Sequence, residues 1–205
     1  MQPHLPNIDI QHRQAVTAIH GIVAAGPGLQ AVGLGLYALA STSTNSAVAM
    51  GYGAGQNNTT GALTAVGHLA GRYNTTGSLT AVGYLAGQAN TTGALTAVGA
   101  HAGRYAGTGT TPNETSTGGI YLGQDTRASA DGVTNETVVG HAAIGGGSNT
   151  VTLGGTGVTH WLPGATNTCS IGRADRAFQD LYLHDGTDEW RVTIDSSGAL
   201  NTAKV

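Results

Sequence analysis

The sequence predicts an all-β chain, a parallel β-helix or β-roll of sixteen-residue coils, and three observations predict it. A phrase recurs: Leu63-Thr-Ala-Val-Gly-His-Leu-Ala-Gly, then Leu79-Thr-Ala-Val-Gly-Tyr-Leu-Ala-Gly, then Leu95-Thr-Ala-Val-Gly-Ala-His-Ala-Gly. Glycines stand on a comb, with Gly35, Gly51, Gly67, Gly83 and Gly99 evenly spaced, and Gly71, Gly87 and Gly103 in step with them. Asn-Thr-Thr-Gly closes successive units at Asn58, Asn74 and Asn90. Self-similarity at a fixed period marks each unit as one coil of a stacked array.

Sixteen residues are too few for a helical hairpin repeat, and the glycines leave no run long enough for an amphipathic helix. What remains is a short strand, Leu-Thr-Ala-Val, then a Gly-X-X-Ala-Gly corner and an Asn-Thr-Thr-Gly corner, since glycine reaches positive φ without a Cβ clash. Stacked coils would pair equivalent strands roughly 4.8 Å apart. Alternation puts Leu63, Leu79 and Leu95 on one strand face and Val66, Val82 and Val98 on the other, so both faces carry apolar ladders. One lines the coil interior and the other needs a cover; the pattern does not say which. Ordering glycine-rich coils costs more backbone entropy than one Leu and one Val per coil return, so association of several columns, as a trimer, is expected.

Ala81-Val-Gly-Tyr-Leu-Ala-Gly87 followed by Asn90-Thr-Thr-Gly93 resembles the head repeats of YadA-type trimeric adhesins, and more closely the related repeats of bacteriophage tail fibres. The resemblance covers roughly residues 31–160. It implies a β-roll or β-helix in each chain and three chains packed around one axis.

Taken in order, residues 1–30 form a docking or trimerisation segment, 31–160 a repeat shaft and 161–205 a distal β domain. A short helix is expected from Ile8 to Val23, with Asn7 as its cap, Val16, Ile19, Ile22 and Val23 on one stripe, and Pro27-Gly28 as its stop. Met1 to Pro6 has neither the basic nor the apolar region of a secretory leader. That expectation separates a virion protein, assembled in the host cytoplasm, from a secreted adhesin. Residues 106–137 read as a polar interruption that contains a strand at Gly119-Ile-Tyr-Leu-Gly123, and its Asp125, Asp131 and Glu136 suit a solvated loop better than a hard-cation site. The pattern resumes at Val138-Val-Gly140 and Val151-Thr-Leu-Gly154. Beyond Pro163, Leu181-Tyr-Leu183 and Trp190-Arg-Val-Thr-Ile194 read as strands, with a turn at Asp195-Ser-Ser-Gly198.

Composition excludes several classes. Charged residues are only 9% and the net charge is −3, which gives no basic footprint for nucleic acid. The single cysteine, Cys169, rules out an intramolecular disulfide and a cysteine-cluster metal site. No Gly-X-Ser-X-Gly, His-Glu-X-X-His or phosphate-loop motif occurs, and Asp185, Asp188 and Glu189 read as a hydrated tip rather than a glycosidase pair. No cofactor, metal or membrane insertion is expected, and the chain is read as a non-enzyme. His68 and His101 occupy neighbouring positions of one corner with Tyr84 between them, a surface corner rather than a metal ring. Asn58, Asn74 and Asn90 match a glycosylation sequon, but their repeat position makes them corner ladders whose side chains hydrogen-bond between coils and tolerate left-handed φ.

The expected function is a trimeric tail fibre. It attaches to tail or baseplate proteins through residues 1–30 and to a host receptor, a glycan among the candidates, through Trp161, Tyr182, Asp185, Asp188 and Trp190. Aromatic platforms beside carboxylates suit sugars; the competing role is to lock the trimer. A tail connector or decoration rod without a receptor role, and a fragment of a bacterial trimeric surface adhesin, are the alternatives.

Overall fold

A backbone that returns to the same height every sixteen residues must bring equivalent atoms of neighbouring coils into contact. The computed structural model describes residues 22–24, 31–42, 46–158, 181–184, 188–194 and 200–204, which fall into two units, Met1–Val158 and Thr159–Val205. The described residues contain strands and turns and no helix.

In the first unit, β1 (Ile22–Ala24), β2 (Ala31–Leu34), β3 (Ala47–Met50), β4 (Leu63–Val66), β5 (Leu79–Val82), β6 (Leu95–Val98), β9 (Gly119–Leu122), β10 (Thr137–Val139) and β11 (Val151–Leu153) form one sheet in that order. From β2 to β11 every pairing is parallel, with Leu63 opposite Leu79 and Leu79 opposite Leu95. This is a parallel β-solenoid of eight strand-bearing coils. β1 differs, pairing antiparallel with β2 from Ile22↔Leu34 to Ala24↔Val32. The helix expected through Val23 is therefore corrected at its end: Ile22-Val23 is β-branched and covers the otherwise unpaired edge of the first coil. The remainder of that helix, residues 8–21, lies outside the described residues.

The interior is decided by side-chain length. Leu63, Leu79 and Leu95 point inward with Ala65, Ala81 and Ala97, and all are buried. A Cβ on Gly71 would lie 2.9 Å from Leu79 Cδ2 and 3.2 Å from Leu63 Cδ1, so the leucine tips occupy the room that glycine leaves. Ala54, Ala70, Ala86 and Ala102 complete a narrow core at the corner.

The comb glycines Gly35, Gly51, Gly67, Gly83 and Gly99 answer to a second demand. Each follows the last residue of a strand with φ between +126° and +134°. A Cβ on Gly83 would lie 2.5 Å from the Gly99 carbonyl oxygen. Both the dihedral and the coil-to-coil approach exclude a side chain. Gly123 and Gly140 hold the same position in later coils, with φ of +126° and +128°. Two residues beyond each comb glycine the chain is left-handed again, at Tyr37, Leu69, Leu85, His101, Asp125 and Ala142. Hydrogen bonds between coils, such as Leu69 N to Tyr52 O at 2.8 Å and His101 N to Tyr84 O at 2.8 Å, hold these strained residues.

The Asn-Thr-Thr corner is a polar rail inside the fold. Asn58, Asn74 and Asn90 are fully buried. Asn74 Nδ2 donates to Asn58 Oδ1 at 2.7 Å and to Gly77 O at 2.8 Å. Thr59 Oγ1 and Thr75 Oγ1 donate to the carbonyls of Thr75 and Thr91 one coil on. The expected bond between coils is present from Asn74 to Asn58, and none of the three asparagines takes up the left-handed φ that this residue tolerates. Their amides satisfy turn carbonyls from an ordinary backbone.

Within residues 106–137 the strand expected at residues 119–123 is present as β9, while the solvated-loop reading is corrected at Glu136. The register steps from Leu95 to Gly119, and the surplus leaves the coil as a hairpin of β7 (Tyr105–Ala106) and β8 (Thr111–Pro112). Asn113 N returns to Arg104 O at 3.1 Å, and Thr91 N donates to Glu114 O at 2.9 Å, so the rail continues through Asn113. Core volume is redistributed at this step: Gly119 faces Leu95 and Tyr121 faces Ala97, and the Tyr121 ring fills the space. Glu136 is buried rather than solvated. Its carboxylate accepts Gly147 N at 2.9 Å, Ser129 N at 3.3 Å and Tyr121 OH at 3.2 Å, which meets the requirement that a buried charge be hydrogen-bonded.

The second unit is an antiparallel meander of β12 (Leu181–His184), β13 (Glu189–Ile194) and β14 (Leu200–Lys204), with Leu183 opposite Trp190 and Trp190 opposite Lys204. The turn expected at residues 195–198 lies outside the described residues, as does Cys169.

The glycine comb makes a differential prediction. Gly83→Ala should cost on the order of 2–4 kcal/mol through strain and overpacking. Gly157→Ala, where a Cβ meets nothing within 4 Å, should stay within about 0.5 kcal/mol. Denaturant unfolding of the two variants measures the difference.

Candidate functional site

Because leucine and alanine turn inward, the alternate residues of every coil turn outward and form two columns. One runs Val32, Val48, Thr64, Thr80, Thr96, Ile120, Thr137, Val151; the other runs Leu34, Met50, Val66, Val82, Val98, Leu122, Val139, Leu153. The second column holds no polar side chain. Val32, Val48, Met50, Val82, Val98, Ile120, Val151 and Leu153 are all exposed. Eight strands of about four residues make this face roughly 34 Å by 13 Å, comparable with the largest patch on a typical monomer, which is often an interaction site. A groove of about 410 Å³ runs along its edge, lined by Ser46, Thr64, Ser78, Thr80, Thr96 and Ile120 among others.

The corner beside this face carries an aromatic ladder. Tyr37 meets Tyr52 edge-on at 5.6 Å; Tyr52 and His68 stack at 5.2 Å and 12°; His68 and Tyr84 stack at 5.3 Å and 18°. Tyr84 then meets His101 at 5.3 Å. The sequence paired His68 and His101 around Tyr84 and missed Tyr37 and Tyr52; the recurring Gly-aromatic pair at Tyr52, His68 and Tyr84 was the available signal. The ladder ends on Asp125, whose Oδ1 lies 2.8 Å from His101 Nδ1. Burial raises the Asp125 carboxyl, but the His101 hydrogen bond, helped by Gln124 and by the fields of His101 and His141, outweighs it and leaves the group below its ordinary value.

The acidic residues singled out in the interruption do not converge. Asp125 pairs with His101, Asp131 Oδ1 accepts Glu114 N at 2.7 Å and Thr115 N at 2.8 Å, and Glu136 closes on Tyr121. Among the described residues no group of three or more His, Cys, Asp or Glu side chains is placed to hold a metal ion, and no helix is long and apolar enough to cross a membrane.

Of the distal residues, Trp161 and Asp185 lie outside the described residues. Tyr182 lies in β12, paired with Arg191 of β13. Trp190 is partly exposed in β13, and Asp188 forms an ion pair with Lys204 of β14. No protein-family model matches the chain, and no curated protein or solved structure matches it.

Burial pushes the Tyr121 phenol up from 10.0, and the Glu136 charge adds to it; the neighbouring Asn113 and Ser116 side chains offset only part. The folded chain therefore keeps a proton that the unfolded chain releases near pH 10. This contribution to stability is fully present below that pH and is lost as pH rises beyond it. Thermal midpoints measured between pH 8 and 11 should fall above pH 10, with a shallower fall in Tyr121→Phe.

Proposed function

We propose that this chain is a subunit of a homotrimeric bacteriophage tail fibre, a non-catalytic structural protein of the virion that attaches the particle to its host. The observation that carries the reading is the outward strand face, eight residues of unbroken apolar column beside a half-threonine column on a glycine-rich solenoid. Two sister chains meeting that face and its groove would remove it from water, and about 25 cal/mol per Å² of apolar area makes such a cover substantial. The recurring Ala-Val-Gly-Tyr-Leu-Ala-Gly phrase and its Asn-Thr-Thr-Gly partner favour three copies through their likeness to trimeric fibre and adhesin repeats. In this reading residues 1–30 dock to tail or baseplate proteins, assembly takes place in the host cytoplasm, and the distal unit meets the receptor. Receptor contact is assigned to Tyr182, Asp188 and Trp190, and to Trp161 and Asp185, which lie outside the described residues. Attachment is by avidity, since several weak contacts on one rigid rod exceed any one of them.

A second reading, a tail connector or decoration rod without receptor binding, is favoured by one observation: Asp188 is already engaged by Lys204, which leaves its carboxylate less free for a sugar.

Light scattering of the purified chain should give three times 20.4 kDa, and a monomer overturns the proposal. Val82→Lys combined with Val98→Lys should shift the mass to that of the single chain while the far-UV spectrum stays strand-rich. Purified trimer that blocks adsorption of the parent phage supports the receptor role; trimer without blocking leaves the structural rod.

A further inference from the structure

The hairpin of β7 and β8 interrupts an otherwise regular coil, and a groove lies beside it. This groove, about 370 Å³, is lined by His101, Tyr105, Thr108, Gly109, Asp125, Arg127 and Ala142. Three successive coils and the hairpin tip contribute to it, and its volume lies within the range of small-molecule sites.

Its charges are unequally engaged. Asp125 accepts only, so His101 Nδ1 carries the proton of their 2.8 Å hydrogen bond, and the second Asp125 oxygen accepts Gln124 Nε2 at 3.1 Å. Arg127 has no such partner: no described carboxylate pairs with it, and its Nε is buried without a hydrogen bond. Glycine at position 109 lets the hairpin tip close on this guanidinium, since a Cβ there would lie 2.6 Å from Arg127 Nη1. Arg127 is half-buried; a guanidinium without a carboxylate partner recruits an anion, and its fork matches a carboxylate. Around it stand groups that suit hydroxyls. In the neutral ring His101 Nε2 is an acceptor once Nδ1 is committed, and Thr108 Oγ1 is both donor and acceptor. Tyr105, held by the Arg104 guanidinium 4.6 Å from its ring centroid, supplies an aromatic wall.

We propose that this groove binds a small polyhydroxylated carboxylate, a hexuronic acid, free or as the end of a saccharide, with its carboxylate on Arg127 and its hydroxyls toward His101, Asp125 and Thr108. The site stands on groups of a single chain and does not rest on the fibre reading.

Isothermal titration of the full chain with sodium glucuronate tests it, beside glucose, acetate and inorganic phosphate. Glucuronate should bind at least about tenfold more tightly than the other three, because only it offers both charge and hydroxyls. Arg127→Gln should lose about tenfold in affinity, and Thr108→Val should lose severalfold at an unchanged unfolding midpoint. If Arg127→Gln does not fold, Thr108→Val and Tyr105→Ala carry the test, and undiminished binding by both overturns the proposal. It is equally overturned if neither free glucuronate nor a saccharide ending in glucuronate binds, by glucose binding as tightly, or by phosphate or acetate binding as tightly, which would mark a bare anion site. Glucuronate ending a longer saccharide but not free glucuronate would place the ligand at a chain end and support the site. Light scattering of the same sample separates the two ideas: a binding monomer sinks the trimer and keeps the groove, and a trimer that ignores glucuronate does the reverse.

Discussion

The close approach of one coil to the next at the comb glycines is the constraint on which the rest depends. Gly51 and Gly67, or Gly83 and Gly99, sit so near that a Cβ on either would meet the carbonyl of the coil beyond. The parallel ladder needs strands at a common spacing, and the corner after each strand has to turn within that spacing. Glycine is the residue that lets both happen. Once the corner is set, Leu69, Leu85 and His101 are held left-handed by hydrogen bonds to the coil before them, a cost that the array tolerates because each is fastened by its neighbour.

From the corner follows the sorting of side chains. Only a narrow interior is left, so alanine and the leucines that begin the repeat strands fill it, and the outward positions receive valine, threonine, methionine, isoleucine and the remaining strand leucines. The same periodicity that stacks strands also stacks asparagines into a buried rail and aromatic rings into an exposed ladder. Each ladder pair contributes on the order of 1 kcal/mol. Solenoid stability of this kind is a sum over neighbours, and each departure from the repeat is absorbed locally: Tyr121 exchanges volume with Gly119, and Glu136 is held by amides and a phenol.

Function, in the reading proposed here, resides in what the repeat leaves uncovered and in where it is broken. The outward apolar columns are the surface a second copy would cover. The hairpin at Tyr105–Pro112 breaks the period beside His101 of one coil and Asp125 and Arg127 of the next, and all of them line one groove. A perfect repeat offers only ladders of identical groups; an insertion brings unlike ones together.

The repeat was legible in the sequence because a fixed spacing of glycines admits few conformations. The parallel strands at Leu63, Leu79 and Leu95, the Asn rail and the resumption at Gly140 follow from spacing and residue type alone. Which strand face lies inside did not, because both faces are apolar and only the room above Gly71 and Gly87 selects leucine. Nor did Asn113 announce itself as part of the rail, since the hairpin displaces it from the period. The burial of Glu136 and the end of the aromatic ladder on Asp125 were equally hidden. These are contacts between coils that sequence distance does not encode, and three-dimensional stacking decides them.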